Sequence, residues 1–207
     1  MTNAIFPESR FLFMLILASQ SPRRRELLGL ITEHFLVRPT GCDESFCCAD
    51  PAEHARQLAL RKCAAALEAQ GVTEADAVIA ADTVVFLDGA LLEKPATADE
   101  ACAMLRRLSG HTHTVCTGVA VTFRGETRSF VERTRVTFHD LSDEMILWYV
   151  STGEPMDKAG AYGIQGKGAL LVRGIEGDYA NVVGLPVSPL YRLLLDMGVP
   201  LEEGAGA

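Results

Sequence analysis

Two stretches of the chain are apolar at every position yet too short for a buried helix: Met14-Leu15-Ile16-Leu17-Ala18 and Ala77-Val78-Ile79-Ala80-Ala81. A strand with no polar side has no face to offer water, so both read as interior strands of a sheet that helices cover on both sides. Each run stops at a group capable of chemistry. The first leads into Ser19, after which Ser21 offers a helix N-cap, Pro22 the first helical position, and Leu27, Leu28 and Ile31 an apolar stripe. The second ends at Asp82, where open α/β sheets place ligands and catalytic groups.

The rest of the pattern extends this frame. Residues 34–49 read as irregular, and Asp50-Pro51-Ala52-Glu53 opens an Ala- and Leu-rich helix running to about Gln70. Residues 84–87 and 90–92 flank Asp88-Gly89 as a hairpin, and Thr97-Ala98-Asp99-Glu100 opens a helix that stops at Ser109-Gly110. Residues 112–123 and 127–138 alternate as a strand pair, followed by a helix over 142–151. Five glycines within residues 153–168 suit a loop that approaches a ligand closely, and a strand near 169–175 and a helix over 186–197 complete the chain. Helices alternating with strands around a central hairpin predict an α/β fold, a mixed sheet flanked by helices.

At 207 residues the chain suits one domain with a full core, and 48% hydrophobic with 22% charged residues excludes disordered and fibrous classes. A net charge of −8 argues against nucleic acid held through a basic surface, and no apolar run reaches the ~20 residues of a membrane span. Any polyanion must therefore be held by a local pocket. Cys42, Cys47, Cys48, Cys63, Cys102 and Cys116 form no CxxC pair, and free thiols in a reducing compartment are the better reading. Arg10 followed by apolar residues 11–18 imitates a short signal peptide only weakly. Residues 1–13 are taken as an extension ahead of a start at Met14, residues 14–200 as one domain, 201–207 as a tail, and the protein as cytoplasmic.

Ser19 to Arg24 delivers two hydroxyls and two guanidiniums at a strand-to-helix turn, a combination suited to phosphate; the bland alternative is an exposed basic first turn. Positive charge there opposes the helix dipole, so something anionic should compensate it. Asp82 equally fits the start of a turn, and Glu44 a solvated loop carboxylate; together the two could hold Mg²⁺. Only four lysines stand against fifteen arginines, and Lys62 and Lys94 each admit a structural reading, a snorkelling stem and a solvated loop. The segment from Gly160 to Lys167 fails as a P-loop because Gly168 stands where Ser or Thr is needed. His111 and His113 share a strand face, a pattern more often surface polarity than a metal site.

Leu15 to Arg24, Ala81-Asp82-Thr83-Val84-Val85, Glu93-Lys94-Pro95, Thr117-Gly118-Val119, Gly153-Glu154-Pro155, Asp157 to Gly166 and Val182 to Pro186 closely resemble the Maf family over residues 14–197. The resemblance implies two lobes around a cleft, similar to the fold of inosine triphosphate pyrophosphatase, and a house-cleaning nucleoside triphosphate pyrophosphatase historically tied to septum formation. Ser21-Pro22-Arg23-Arg24 with Ala81-Asp82-Thr83 looks like the branch acting on dTTP, UTP and modified pyrimidine nucleotides. By that matching Asp82 is the catalytic acid residue, Arg23, Thr83 and Gln165 set specificity, Ser19, Arg24, Lys62 and Lys94 line the site, and Glu44 with Asp82 holds a divalent cation, Mg, Mn or Co. A homodimer is left open. The rival readings are a 7-methyl-GTP pyrophosphatase of the same family, which Thr83 argues against, and a nucleotide-binding regulator without turnover.

Overall fold

The first apolar run forms strand β1 (Leu15–Leu17), and the turn after it leads into helix α1 (Pro22–Leu28). Ser21 caps that helix, its Oγ accepting from the Arg24 N–H at 3.4 Å. The computed structural model describes residues 13–39, 41–42, 48 and 50–201. Glu44, Cys47, residues 1–12 and residues 202–207 lie outside the described residues. Phe13 packs edge-on against Phe123 at 6.3 Å.

A two-residue strand, β2 (Leu36–Val37), forms inside the segment expected to be irregular, paired in parallel with β1. Helix α2 (Pro51–Leu67) is capped by Asp50, whose Oδ1 accepts from the Ala52 N–H at 3.1 Å. Strand β3 (Ala77–Leu87) contains the second apolar run and corrects one expectation, because it does not end at Asp82. It continues through Asp82 and Thr83 for 11 residues, held by antiparallel pairing with β5 (Thr112–Phe123) from Val78↔Thr122 to Phe86↔Thr114. Backbone pairing carries the strand past two polar side chains that would otherwise start a turn.

Strand β4 (Ala90–Leu92) folds back on β3 through Asp88-Gly89, both at positive φ as a tight hairpin requires. Helix α3 (Ala98–Leu108) follows, with Thr97 Oγ1 accepting from the Glu100 N–H. Strand β6 (Glu126–Phe138) turns back on β5 through Arg124 and Gly125, again both at positive φ. Helix α4 (Asp143–Ser151), three short 3₁₀ segments, β7 (Val172–Glu176), α5 (Tyr179–Val183) and α6 (Val187–Asp196) complete the described chain. The order across the sheet is β2-β1-β3-β5-β6-β7, with β4 beside β3; β2-β1-β3 are parallel and the rest antiparallel. This is a mixed sheet flanked by helices, an α/β fold. No helix among the described residues is long and apolar enough to cross a membrane.

Side chains alternate across a strand, and β3 uses both faces. On one face Ala77, Ile79 and Ala81 join a core with α1 and α6, while Val85 and Leu87 join a second core with α3 and α4. Thr83 falls between them. On the other face α2 covers Val78 and Ala80 in one cluster and Val84 and Phe86 in another, and Asp82 falls between those. The apolar packing is thus interrupted on both faces at the same point of β3. On one edge of β3, β1 pairs at residues 77–79 and β4 at residues 85–87, leaving the middle of that edge open.

Candidate active site

The interruption is a cleft of about 530 Å³. Its walls come from the β1–α1 turn, β3, the segment after β4, the glycine-rich 3₁₀ turns and α5. Ser19, Arg23, Arg24, Lys62, Thr83, Lys94 and Gln165, all singled out from the sequence, line it together. Asp82 does not line it. The Asp82 side chain is mostly buried, and its Oδ1 pairs with Lys62 Nζ at 2.6 Å. Lys62 reaches it from α2, which packs directly over β3 and β5. That approach depends on Gly118, which faces Asp82 across the sheet: a Cβ there would meet the Ala55 carbonyl oxygen at 2.3 Å.

The α1 side of the cleft is pinned by Arg24. Its Nε donates to the Gly184 carbonyl at 2.9 Å, its Nη2 to Thr83 Oγ1 at 3.0 Å, and its Nη1 to Ser19 Oγ at 3.4 Å. Ser19 Oγ also accepts from the Ser21 N–H at 3.2 Å, which shapes the turn entering α1. One side chain therefore ties together the turn, the open stretch of β3 and the end of α5.

The compensating anion expected near the basic turn is Asp157, from the glycine-rich segment. Arg23 Nη1 donates to its Oδ2 at 3.3 Å, and Lys158 Nζ to its Oδ1 at 2.6 Å. Lys158 Nζ also donates to the Glu154 carbonyl. Partial burial by itself would raise the Asp157 pKa, but Lys158 and Arg23 outweigh it and hold the carboxyl below its ordinary 3.8. Lys94, from the segment after β4, lines the cleft, is exposed, and forms no ion pair or hydrogen bond through its side chain among the described residues.

Asp157, Lys158 and Tyr162 belong to this lining although the sequence reading gave them no role. The signal available was a charged Asp-Lys pair placed inside a run of glycines. His113 is a correction. It is 2% exposed, not surface polarity, and its Nε2 sits 2.7 Å from the Tyr162 hydroxyl beneath the cleft. Burial penalises its charged form and pushes its pKa down to about 4. His113, Phe138 and Tyr162 meet pairwise edge-to-face, with centroids 4.7–5.2 Å apart.

No group of three or more His, Cys, Asp or Glu gathers among the described residues to hold a metal by protein ligands alone. A single hard carboxylate next to a cationic cleft is nevertheless the donor set that Mg²⁺-class ions use when they share ligands with a bound triphosphate. Asp82 fits that mode. Cys42, two positions before Glu44 in the chain, lines the cleft.

A family model described as Maf-like protein matches residues 14–197. Three curated relatives are each called dTTP/UTP pyrophosphatase. That of Moorella thermoacetica is 52% identical over 188 residues, covering 89% of this chain and 95% of its own. The Symbiobacterium thermophilum protein is 50% identical over 192 residues, covering 92% and 97%. A third, from Thermococcus kodakarensis, is 48% identical over 180 residues, covering 87% and 95%.

Proposed function

The chain belongs to the Maf-like family, and on that premise we propose that it is a nucleoside triphosphate pyrophosphatase that hydrolyses dTTP and UTP to the monophosphate and pyrophosphate. The observation that carries the reading is the concentration of Arg23, Arg24, Lys62 and Lys94 on one cleft of a protein whose net charge is −8. Such a pocket holds a polyphosphate against a global field that repels it. Cleavage between the α and β phosphorus leaves pyrophosphate, and Arg23, Arg24, Lys62 and Lys94 stabilise the charge that builds on it.

Asp82 is the base in this reading. Lys62 engages Oδ1, and among the described residues Oδ2 carries no side-chain partner and is the oxygen left to orient and deprotonate the attacking water. A divalent ion held by Asp82 and Glu44 would supply further charge neutralisation and a more acidic water. Thr83 and Gln165 present polar edges to the base, where a mismatched nucleobase leaves a buried group unpaired. The unpaired thiols Cys63, Cys102 and Cys116, all buried, fit a cytoplasmic enzyme.

The test is a panel of dTTP, UTP, CTP, GTP and 7-methyl-GTP with Mg²⁺, Mn²⁺ or Co²⁺, read for pyrophosphate and monophosphate. Preferred turnover of dTTP and UTP supports the reading. Release of orthophosphate, turnover of 7-methyl-GTP alone, or binding without turnover overturns it.

A further inference from the structure

We propose that Thr117 determines which pyrimidine the cleft accepts, by fixing the direction of the Thr83 hydroxyl proton. The inference rests on the reading above, in which Thr83 meets the base, and it follows from counting hydrogens. Thr117 Oγ1 lies 3.0 Å from the backbone carbonyl of Asn181, which can only accept, so the single hydroxyl hydrogen of Thr117 is spent there. Thr117 Oγ1 also lies 3.0 Å from Thr83 Oγ1. With the Thr117 hydrogen committed, Thr83 must supply the hydrogen of that contact. Arg24 Nη2–H donates to Thr83 Oγ1 at 3.0 Å and occupies one lone pair. What Thr83 has left for the cleft is one lone pair and no hydrogen.

The carbonyl that starts this chain is itself held. Asn181 Nδ2 donates to the Val115 carbonyl at 3.2 Å and to Thr134 Oγ1 at 2.9 Å, and Thr134 Oγ1 donates to the Asp178 carbonyl at 3.0 Å. Thr117 and Asn181 are fully buried, so solvent offers no alternative partner that would let the donors reverse.

Uracil and thymine carry an N3–H donor between two carbonyl acceptors; cytosine carries an acceptor at N3. Placed opposite N3, a hydroxyl that can only accept complements the first pattern and opposes the second; cytosine's only donor on that edge is the neighbouring exocyclic amino group. Thr117 is thus a positioning residue that acts through Thr83 to favour UTP and dTTP over CTP.

Thr117→Val keeps the shape and removes the hydroxyl, freeing the Thr83 hydrogen to turn toward the cleft. Binding of the α,β-methylene analogues of UTP and CTP, measured by calorimetry, reads the effect without turnover. The wild-type protein should hold the UTP analogue about tenfold tighter. In Thr117→Val that ratio should fall to about one, chiefly through tighter binding of the CTP analogue, and Thr117→Ser should restore it. A merely structural role would weaken both analogues alike. Should Thr117→Val fail to fold, Thr83→Val serves instead: removing the acceptor should weaken the UTP analogue about tenfold and leave the CTP analogue nearly unchanged. An unchanged ratio in folded Thr117→Val, equal losses in Thr83→Val, or a wild-type protein without preference overturns the proposal. If the analogues are discriminated as expected while UTP is not cleaved between its α and β phosphorus, the relay stands and the pyrophosphatase reading falls.

Discussion

Gly118→Ala tests whether the ion pair of Lys62 and Asp82, and the activity proposed to depend on it, require the close approach of α2 to the sheet. A Cβ at position 118 would lie 2.3 Å from the Ala55 oxygen, 2.4 Å from the Ala55 carbon and 2.6 Å from the Arg56 nitrogen. All three are backbone atoms, so no rotamer change relieves the clash. Ordinary contact begins at 3.4 Å, and the helix must recede by roughly 1 Å. A gap of that size forfeits a quarter to a half of the dispersion attraction along the face formed by Ala55, Ala59, Cys63 and Ala66, all at most 1% exposed. Overpacking of this kind costs about 3 kcal/mol, which lowers Tm by roughly 6–12 °C in a chain this long. Lys62 rides on the same helix, 2.6 Å from Asp82, so turnover should fall about tenfold or more as well. Calorimetric melting and steady-state kinetics on dTTP measure both effects. Gly174→Ala, with open space around its Cβ, is the control and should shift Tm by no more than a few degrees. A Gly118→Ala protein that melts and turns over like the wild type, or a control that falls equally far, refutes the reasoning.

Asp82→Asn nearly conserves shape but removes the proposed base and the carboxylate charge that Lys62 meets at 2.6 Å; turnover of dTTP should drop on the order of 10²-fold or more, and an unchanged rate in a folded variant would return Asp82 to a structural role. Thr83→Ala and Gln165→Ala should lower kcat/KM for dTTP and UTP more than for other nucleotides, by ~1–3 kcal/mol, whereas Lys94→Ala should lower it for every nucleotide alike. Losses that are equal across bases in all three variants would place the base pocket elsewhere. Burial pushes the His113 pKa down from the ordinary 6.5 to about 4, so between those values the unfolded chain binds a proton that the folded chain refuses. Stability should therefore fall as pH drops from 6.5 toward 4, by roughly 3 kcal/mol for this group, and level off below. Urea unfolding of wild type and His113→Phe at pH 7 and pH 4.5 checks this, and identical pH slopes would contradict it.

Much of the local structure was legible because its causes lie a few residues apart. Ser21, Asp50, Thr97 and Ser142 each cap the helix that their positions imply. Asp88-Gly89 and Arg124-Gly125 turn the two hairpins at positive φ. Where the reading went wrong, the deciding partner was distant in sequence. Asp82 marks no strand end because Gly118 and its neighbours on β5 pair with it. His113 alternates like a surface residue, yet β5 is covered on both faces over most of its length and alternation there no longer signals solvent. The segments that form β2 and α5 carry too few residues for periodicity to show, and β2 exists through its pairing with β1.

The sequence by itself determined that the chain builds a covered mixed sheet and that Arg23, Arg24, Lys62, Asp82 and Lys94 are candidates for phosphate chemistry. Burial on both faces of a strand is written in its composition, and scarce lysines invite attention individually. Only the tertiary structure decided that Asp82 pairs with Lys62, that Arg23 meets its counter-charge 134 residues away in Asp157, and that the Thr83 and Thr117 hydroxyls stand 3.0 Å apart. Those facts turn on the two or three ångströms between groups brought together by strand register and helix packing. Register and packing are sums over many weak contacts along the whole chain, which no local pattern of residues encodes.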